Sequence, residues 1–357
     1  MTDDCNFDCT YCYQPRKKER LSFSTIAKSI DYFHPFFAPG CSISFYGGEP
    51  LLALAELKKT VEYVDRLPKK SDSGPRYSLT TNGSLLNEAT LESLEEHDFS
   101  LILSFDGLAQ EISRRKGSFD FLVSLIPRIL ARPRISLETY SVFSPQTIAY
   151  LSESVRFIIE MGVPKIDVHL ADEATWTSSS LLRLEEEIAR MGEYFESHYR
   201  RPEDIPWADF HEPPIRAVFR CTAGLTQMAL SAQGTLWGCA LFPHYCLKTS
   251  RIEEYDKYCF GTVDSFVKNH RRIYAQKIRN YSDLRMGRFS TRRQKCLLCR
   301  EIEQCRICPL AAARTMGEIG LIPEWSCQAG KTLRKNGRLL LDRFKKKMQG
   351  AGRSQGN

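Results

Sequence analysis

From residue 41 to 172 the chain alternates short runs of β-branched and aromatic residues, each ending in a polar or glycine-rich turn, with longer stretches whose apolar residues recur at helical spacing. The short runs predict strands over Ser42 to Tyr46, Arg76 to Thr80, Leu101 to Phe105, Ile135 to Val142 and Lys165 to Leu170. The longer ones predict helices over Ser22 to Phe37, Leu51 to Arg66, Glu88 to His97, Phe119 to Ala131, Pro145 to Met161 and Leu181 to Tyr199. Strands alternating with helices of this length predict an α/β fold with a parallel sheet and right-handed crossovers, either doubly wound or curled into a whole or partial barrel. In both architectures chemistry belongs at the C-terminal strand ends. The polar signatures fall there: Gly47-Gly48-Glu49-Pro50 after the first strand, Thr81-Asn82-Gly83 after the second and Asp106-Gly107 after the third.

Around residues 200 to 220 the alternation stops, and Pro202, Pro206, Pro213 and Pro214 mark a linker or an irregular docking segment. The organisation this predicts is a barrel over residues 1–200, a linker over 201–220, a cysteine-rich domain over 221–330 and a basic helix and tail over 331–357. Between Lys331 and Arg353 the only acidic residue is Asp342 and the only aromatic one is Phe344. Basic residues with so little aromatic interleaving read as a solvated helix face, so no nucleic-acid partner is expected. No apolar run reaches the length of about 18 residues that a membrane span needs, and the acidic start Met1-Thr2-Asp3-Asp4 lacks the apolar core of a signal peptide. A cytoplasmic chain with no membrane partner is the expectation.

Thirteen cysteines are many for a compartment that keeps thiols reduced, so metal or cluster ligation is the leading explanation. Cys5, Cys9 and Cys12 crowd the first residues, Cys41 stands alone at the start of a strand and reads as a core thiol, and the rest lie between Cys221 and Cys327. Two separate sites are implied. The spacing CxxxCxxC lets one loop present three thiolates. A structural zinc site is normally closed by four ligands and a 4Fe–4S cluster is usually held by four thiolates, so three would leave one iron free for a substrate.

With Tyr11 ahead of the last cysteine, and Tyr46-Gly47-Gly48-Glu49-Pro50 one strand later, the pattern resembles the radical S-adenosylmethionine (radical SAM) superfamily over roughly residues 5 to 172. The resemblance implies a partial (β/α)6-type TIM barrel and a 4Fe–4S cluster on Cys5, Cys9 and Cys12. Its free iron would chelate S-adenosylmethionine, whose reductive cleavage gives a 5′-deoxyadenosyl radical that abstracts a substrate hydrogen. It also implies that Tyr11, Gly47, Gly48, Glu49 and Pro50 bind this cofactor. Two glycines let the backbone approach a ligand, and Glu49 offers an anion to the methionyl ammonium; the other reading is a turn capping the helix from Leu51. By the same resemblance Thr81, Asn82, Ser104 and Asp106 approach the methionyl or ribose part, with Arg115 near the carboxylate. Ser104 and Asp106 equally read as closing a turn, and Arg114-Arg115-Lys116 as a solvated face. Family members have a first strand leading into the cysteine loop, whereas four residues precede Cys5 here. Either the true start lies upstream of Met1, or the loop is held without that strand.

In the C-terminal part, Cys221, Cys239, Cys296, Cys299, Cys305, Cys308 and Cys327 follow one another, with Gly234 four residues before Cys239's immediate neighbour. The CxxC pairs permit zinc ribbons, and Cys296, Cys299, Cys305 and Cys308 would make a tetrahedral zinc site. Coupled to the N-terminal loop, the order resembles the SPASM extension of peptide-modifying radical SAM enzymes, which carries two auxiliary 4Fe–4S clusters. That resemblance assigns Cys296, Cys299, Cys305 and Cys327 to an outer cluster and Cys221, Cys239 and Cys308 to an inner one. Two residues separate Cys305 from Cys308 where the family usually has three. The fourth inner ligand is Cys246, Cys259 or an open iron.

The expected function is a radical SAM oxidoreductase, with three 4Fe–4S clusters and S-adenosylmethionine, that matures a ribosomally made peptide or protein by cross-linking or oxidation. An external electron donor such as flavodoxin or ferredoxin is implied. Any leader recognition is expected from a separate protein or from the chain's own surface. The nearest alternative is an anaerobic sulfatase-maturating, formylglycine-generating enzyme. Those relatives place an aspartate after the second cysteine of the extension, where this chain has Ala240; Asp172, Glu173, His169 and His244 are the substitutes for that base. A third reading is a non-catalytic iron–sulfur or zinc protein.

Overall fold

The computed structural model describes residues 1–68, 74–207, 210, 221–248, 252–284, 289–302, 305 and 307–353. Most of the expected linker, residues 208–209 and 211–220, lies outside them. The parallel strands are β1 (Ser42–Phe45), β2 (Arg76–Thr81), β3 (Ser100–Ser104), β4 (Ser136–Phe143) and β5 (Ile166–Leu170). A second, antiparallel sheet consists of β6 (Ala229–Leu230), β7 (Thr235–Trp237) and β8 (Gly261–Thr262). The helices in chain order are α1 (Phe23–Phe33), α2 (Leu54–Asp65), α3 (Glu88–Glu96), α4 (Gln110–Ser113), α5 (Phe119–Leu130), α6 (Leu151–Glu160), α7 (Ser178–His198), α8 (Leu241–Lys248), α9 (Ile252–Tyr258), α10 (Val263–Asp283), α11 (Pro309–Met316) and α12 (Glu324–Arg353).

The five-stranded sheet is ordered β1-β2-β3-β4-β5, the sequential order of a barrel rather than that of a doubly wound sheet. Ser42 pairs with Arg76 and Phe45 with Leu79, Ser78 with Ser100 and Thr81 with Leu103, and Thr139 with Ile166. All five predicted strands and six predicted helices are present, with shifted ends that have local causes. The first helix stops at Phe33 and continues as a single 3-10 turn, His34–Phe36, because Pro35 has no N–H to give the helical ladder. Similarly, Pro50 opens a 3-10 turn, Pro50–Ala53, ahead of α2. Where a side chain supplies the cap, the start is sharp: Asn87 accepts from Thr90 N at 2.9 Å at α3, and Thr177 with Ser180 forms a capping box at α7.

The chain packs as two compact units. One comprises residues 1–104, 120–138 and 221–286. Its core is built from the inward face of β2 and β3 (Leu79, Leu101, Leu103), from Leu57, Val61 and Leu91 of α2 and α3, and from Leu122, Leu125, Ile126 and Ile129, which form one side of α5. The other comprises residues 105–119, 139–220 and 287–357. There Leu184, Ile188, Met191 and Phe195 line one face of α7, and the basic helix α12 lies along α7 with Phe344 buried. Arg343 pairs with Glu196 at 2.8 Å and Lys335 with Glu185 at 3.3 Å, so part of the basic excess of α12 is neutralised by its neighbour. Among the described residues no helix is long and apolar enough to cross a membrane.

Candidate functional site

Residues 5–12 form a loop without regular structure, pinned from within and from both flanks. Cys12 N donates to Cys9 O at 3.1 Å, Phe7 N donates to the Cys5 sulfur at 3.4 Å, and the Arg16 guanidinium donates to Cys9 O at 3.1 Å while pairing with Asp8. Ahead of Cys5, Met1 N donates to Tyr46 O at 2.9 Å, Gly48 N to Thr2 O at 2.8 Å and Glu49 N to Asp4 O at 2.8 Å. The flank of the loop is thus held by backbone bonds to the turn that follows β1. A Cβ on Gly47 would stand 2.3 Å from Thr2 O and one on Gly48 2.1 Å from Asp4 O, so the two glycines let the flank of the cysteine loop lie directly on the turn. Gly48→Ala is expected to push Asp4 and Cys5 off the turn and lower the loop's iron loading by up to about a third of the total, for one of three clusters. Wild-type iron after anaerobic reconstitution would show that the contact is dispensable.

Glu49 is fully buried. Its carboxylate accepts from Leu51 N at 3.1 Å, from Thr81 Oγ1 at 2.7 Å and from Asn82 N at 2.8 Å, tying the turn after β1 to the end of β2. Burial pushes its pKa up, against the pull of these three donors. Asn82 carries the connection to the cysteines: its amide donates to Asn6 Oδ1 at 2.9 Å and lies 3.9 Å from the Cys5 sulfur, while its Oδ1 accepts from Ser84 N and Ser84 Oγ at 3.0 and 2.6 Å. Asn6 in turn donates to Ser84 Oγ at 2.8 Å. Burial, and the negative charges of Glu49 and Cys12, raise the Cys5 pKa, while the Phe7 N–H and Arg16 oppose them. Thiols grouped beside a buried carboxylate suit a cationic occupant, which fits iron. Tyr11 and Cys9 are half-buried on the same loop, and Pro50 is buried.

The third strand end is arranged differently. Ser104 is half-buried and Arg115 exposed, whereas Asp106 is fully buried. Its carboxylate accepts from Arg114 Nη2 at 2.9 Å, Val142 N at 2.8 Å and Ser113 Oγ at 2.5 Å. Arg114 thus reaches the strand end through Asp106.

In the other unit Cys296, Cys299, Cys305 and Cys327 line a single cavity of about 150 Å³, together with Ile302 and Lys331. Two come from the 3-10 turn Cys296–Leu298 and the residue after it, and Cys327 comes from the first turn of α12. Burial, then the thiols of Cys305, Cys327 and Cys299, push Cys296 up to about 11. Mutual repulsion of this kind is relieved by a cation, and the space far exceeds a lone ion's needs, so the donors and the volume fit a polynuclear iron–sulfur group. Among the described residues no three such donors converge as on one ion. Cys308 is exposed at the head of α11.

Cys221 and Cys239 belong to the first unit, where Gly224 N donates to Gly238 O at 3.2 Å and joins their segments. A Cβ on Gly238 would meet Gly224 N and a Tyr281 ring carbon, each at 2.5 Å. Tyr281 is the buried pillar of this region, accepting from Gly238 N at 2.9 Å and donating to Tyr258 O at 2.6 Å. The thiols of Cys259, Cys239 and Cys246 all act on its hydroxyl. Cys246 and Cys259, the two named candidates for a fourth ligand, are both buried here. Cys41 is half-buried, not in the core, because it precedes the sheet's edge strand β1.

Sequence reasoning missed Asn6, Ser84, Tyr13 and Gln14. Gln14 donates to Gly47 O at 2.5 Å, the hydroxyls of Tyr13 and Tyr46 share a short hydrogen bond, and the His244 ring meets Tyr13 edge-on at 5.8 Å. Asn6, a polar residue inside the cysteine spacing, is the one that carried a signal in the sequence.

Residues 1–158 match the family described as the Radical SAM superfamily. Among curated proteins, the protein MJ0907 of Methanocaldococcus jannaschii is 28% identical over 218 residues, 57% of this chain and 74% of that one. A cysteine-type anaerobic sulfatase-maturating enzyme of Clostridium novyi is 27% identical over 176 residues, 44% of this chain and 45% of the relative. The match thus spans less than half of that enzyme. Among solved structures, native anSMEcpe with bound AdoMet and Kp18Cys peptide superposes with a TM-score of 0.74 over 97% of both chains at 15% identity, a likeness of fold.

Proposed function

We propose that this chain, which carries a radical SAM domain over residues 1–158, is a peptide or protein maturase that abstracts a hydrogen from its substrate and leads it to a cross-link or an oxidised residue. The observation that carries the reading is the presence of two separately built thiol sites. One is a three-cysteine loop locked onto the Gly47-Gly48-Glu49 turn, and the other is a four-cysteine cavity in the second unit. A chain that only generated a radical would need the first alone.

In this reading Cys5, Cys9 and Cys12 would hold a 4Fe–4S cluster, which together with S-adenosylmethionine would supply the hydrogen-abstracting radical chemistry. Glu49, Thr81 and Asn82 fix the loop relative to the ends of β1 and β2 through the bonds described above, which keeps a reacting atom's position defined. Cys296, Cys299, Cys305 and Cys327 hold an outer auxiliary cluster. Cys221 and Cys239 would belong to an inner one, with Cys246, Cys259 or an open iron as its fourth position.

Anaerobic reconstitution is expected to give about twelve irons per chain, from three 4Fe–4S clusters, with S-adenosylmethionine cleaved to 5′-deoxyadenosine. Stoichiometric zinc in place of iron would end the proposal. The Cys296→Ala/Cys299→Ala variant separates making the radical from using it. It is expected to form 5′-deoxyadenosine without coupling, yet to modify its peptide at least on the order of a hundredfold more slowly, as misplacement of about 1 Å alone can cause. Wild-type modification by this variant would remove the auxiliary role from the cavity.

Sulfatase maturation is the second reading, favoured by the name of the Clostridium novyi relative. Ala240 argues against it, and so does the ion pair of one substitute base, the Asp172 carboxylate being taken up by Arg314. His169, paired with Asp167 at 2.9 Å and stacked on Tyr140 at 4.2 Å, stays open as a base. Formylglycine formation on a cysteine- or serine-containing sulfatase peptide would decide for it.

A further inference from the structure

We infer that the surface around Leu297 and Leu298 is the docking site of a small acidic electron-carrier protein, which exchanges single electrons with the metal centre of the four-cysteine cavity. The inference rests on that cavity being a cluster site. Leu297 and Leu298 fill the two positions between Cys296 and Cys299, and they are 63% and 76% exposed. Two adjacent leucines so open to water cost solvation without contributing to any core, which is the mark of a contact surface. They lie in the chain between two of the four thiols, so a partner seated on them comes close to that segment.

The charge around them names the partner. Arg292, Arg293, Lys295 and Arg300 are all exposed on the same nine-residue stretch. No ion pair joins any of the four to a described residue, whereas the nearby Arg334 and Arg338 are both taken up by Glu301 at 2.9 and 3.4 Å. An apolar pair flanked in the chain by four exposed cations, with one carboxylate, Glu324, on the backbone N of Arg293 at 3.1 Å, fits an acidic protein face. The charges steer the encounter and set its orientation, while the leucines exclude water over a small contact, as in transient electron-transfer pairs. In each encounter one electron crosses, the carrier being oxidised by one electron as the centre is reduced by one, or the reverse; no bond is made or broken.

The test uses the full reconstituted chain and a reduced flavodoxin of strongly acidic surface as the probe, with dithionite as a small-molecule reductant for comparison. Arg292→Glu/Lys295→Glu/Arg300→Glu is expected to slow cluster reduction by flavodoxin at least about tenfold at low salt and to flatten its salt dependence, since steering of this kind is worth 10–1,000-fold. Leu297→Ser/Leu298→Ser is expected to slow it as well, with the salt dependence kept. Both variants should retain wild-type iron and wild-type reduction by dithionite, because all the changed side chains are exposed. Flavodoxin rates unchanged in both variants, with iron intact, would overturn the docking site and leave the cluster reading standing. A wild-type chain that binds no iron at this cavity would instead overturn the cluster reading, and the docking site with it. If the variants keep the flavodoxin rate but lose affinity for an acidic peptide, the surface serves peptides and the inference is wrong.

Discussion

Replacing Cys5, Cys9 and Cys12 together by alanine is expected to abolish S-adenosylmethionine cleavage while removing only about a third of the iron, one of three clusters. These three are the only cysteines before Cys41 in the sequence, and although Cys5→Ala removes the sulfur that Phe7 N and Asn82 approach, the loop stays fastened by Arg16, by Asn82 through Asn6 and by the backbone of residues 1–4. The variant should therefore fold with the wild-type circular dichroism spectrum and keep the iron of the cavity formed by Cys296, Cys299, Cys305 and Cys327. Cys41→Ser is the control: half-buried ahead of an edge strand, it is expected to leave iron and cleavage unchanged. Residual 5′-deoxyadenosine formation by the triple variant, above that of protein without iron, would mean that the radical arises at another cysteine set.

The five parallel strands were readable from the sequence because each is bounded by a turn signal and followed by a helix with its own apolar stripe. The small sheet β6–β8 was not: its strands are two or three residues long, too short for alternation to register. The cysteines were readable as sets, and the structure gathers one of the sets, Cys296, Cys299, Cys305 and Cys327, around a single cavity. What spacing does not carry is which polar side chains spend themselves on the protein. Glu49 has the composition of a ligand contact, yet in this structure its oxygens take up Leu51, Thr81 and Asn82. Its visible work is to join two strand ends and, through Asn82 and Asn6, to place the cysteine loop. The same holds for the Arg114-Arg115 pair, where neighbours in sequence have opposite fates, one buried on Asp106 and one in solvent. A one-residue difference in direction at the end of a short helix is a packing outcome that no local pattern encodes.

Asp106→Ala is expected to destabilise the protein by about 3–5 kcal/mol, the cost of breaking a buried ion pair from one side. Arg114's side chain is 6% exposed and Asp106's is 0%. Without the carboxylate the guanidinium keeps the Tyr140 carbonyl at 3.1 Å and Ser113 Oγ keeps Ala109 O at 2.9 Å, but Val142 N loses its acceptor. Each buried donor left without one adds its own desolvation cost. Removing both charges with shape kept, as in Asp106→Leu/Arg114→Met, should recover part of the loss, because a buried pair replaced by apolar groups is often near neutral, but not all of it, since the Val142 N–H stays orphaned. Urea unfolding monitored by circular dichroism measures both variants, and a single-variant cost under about 1 kcal/mol, the size of an ordinary surface pair, would show the pair to be solvated. The comparison also separates the two roles of Asp106. If it touches the ribose of S-adenosylmethionine, Asp106→Asn weakens cofactor binding in a protein of nearly wild-type stability. If it is the internal tie between Arg114, Ser113 and β4, the same change lowers stability first, and cofactor affinity recovers under conditions that restore the fold.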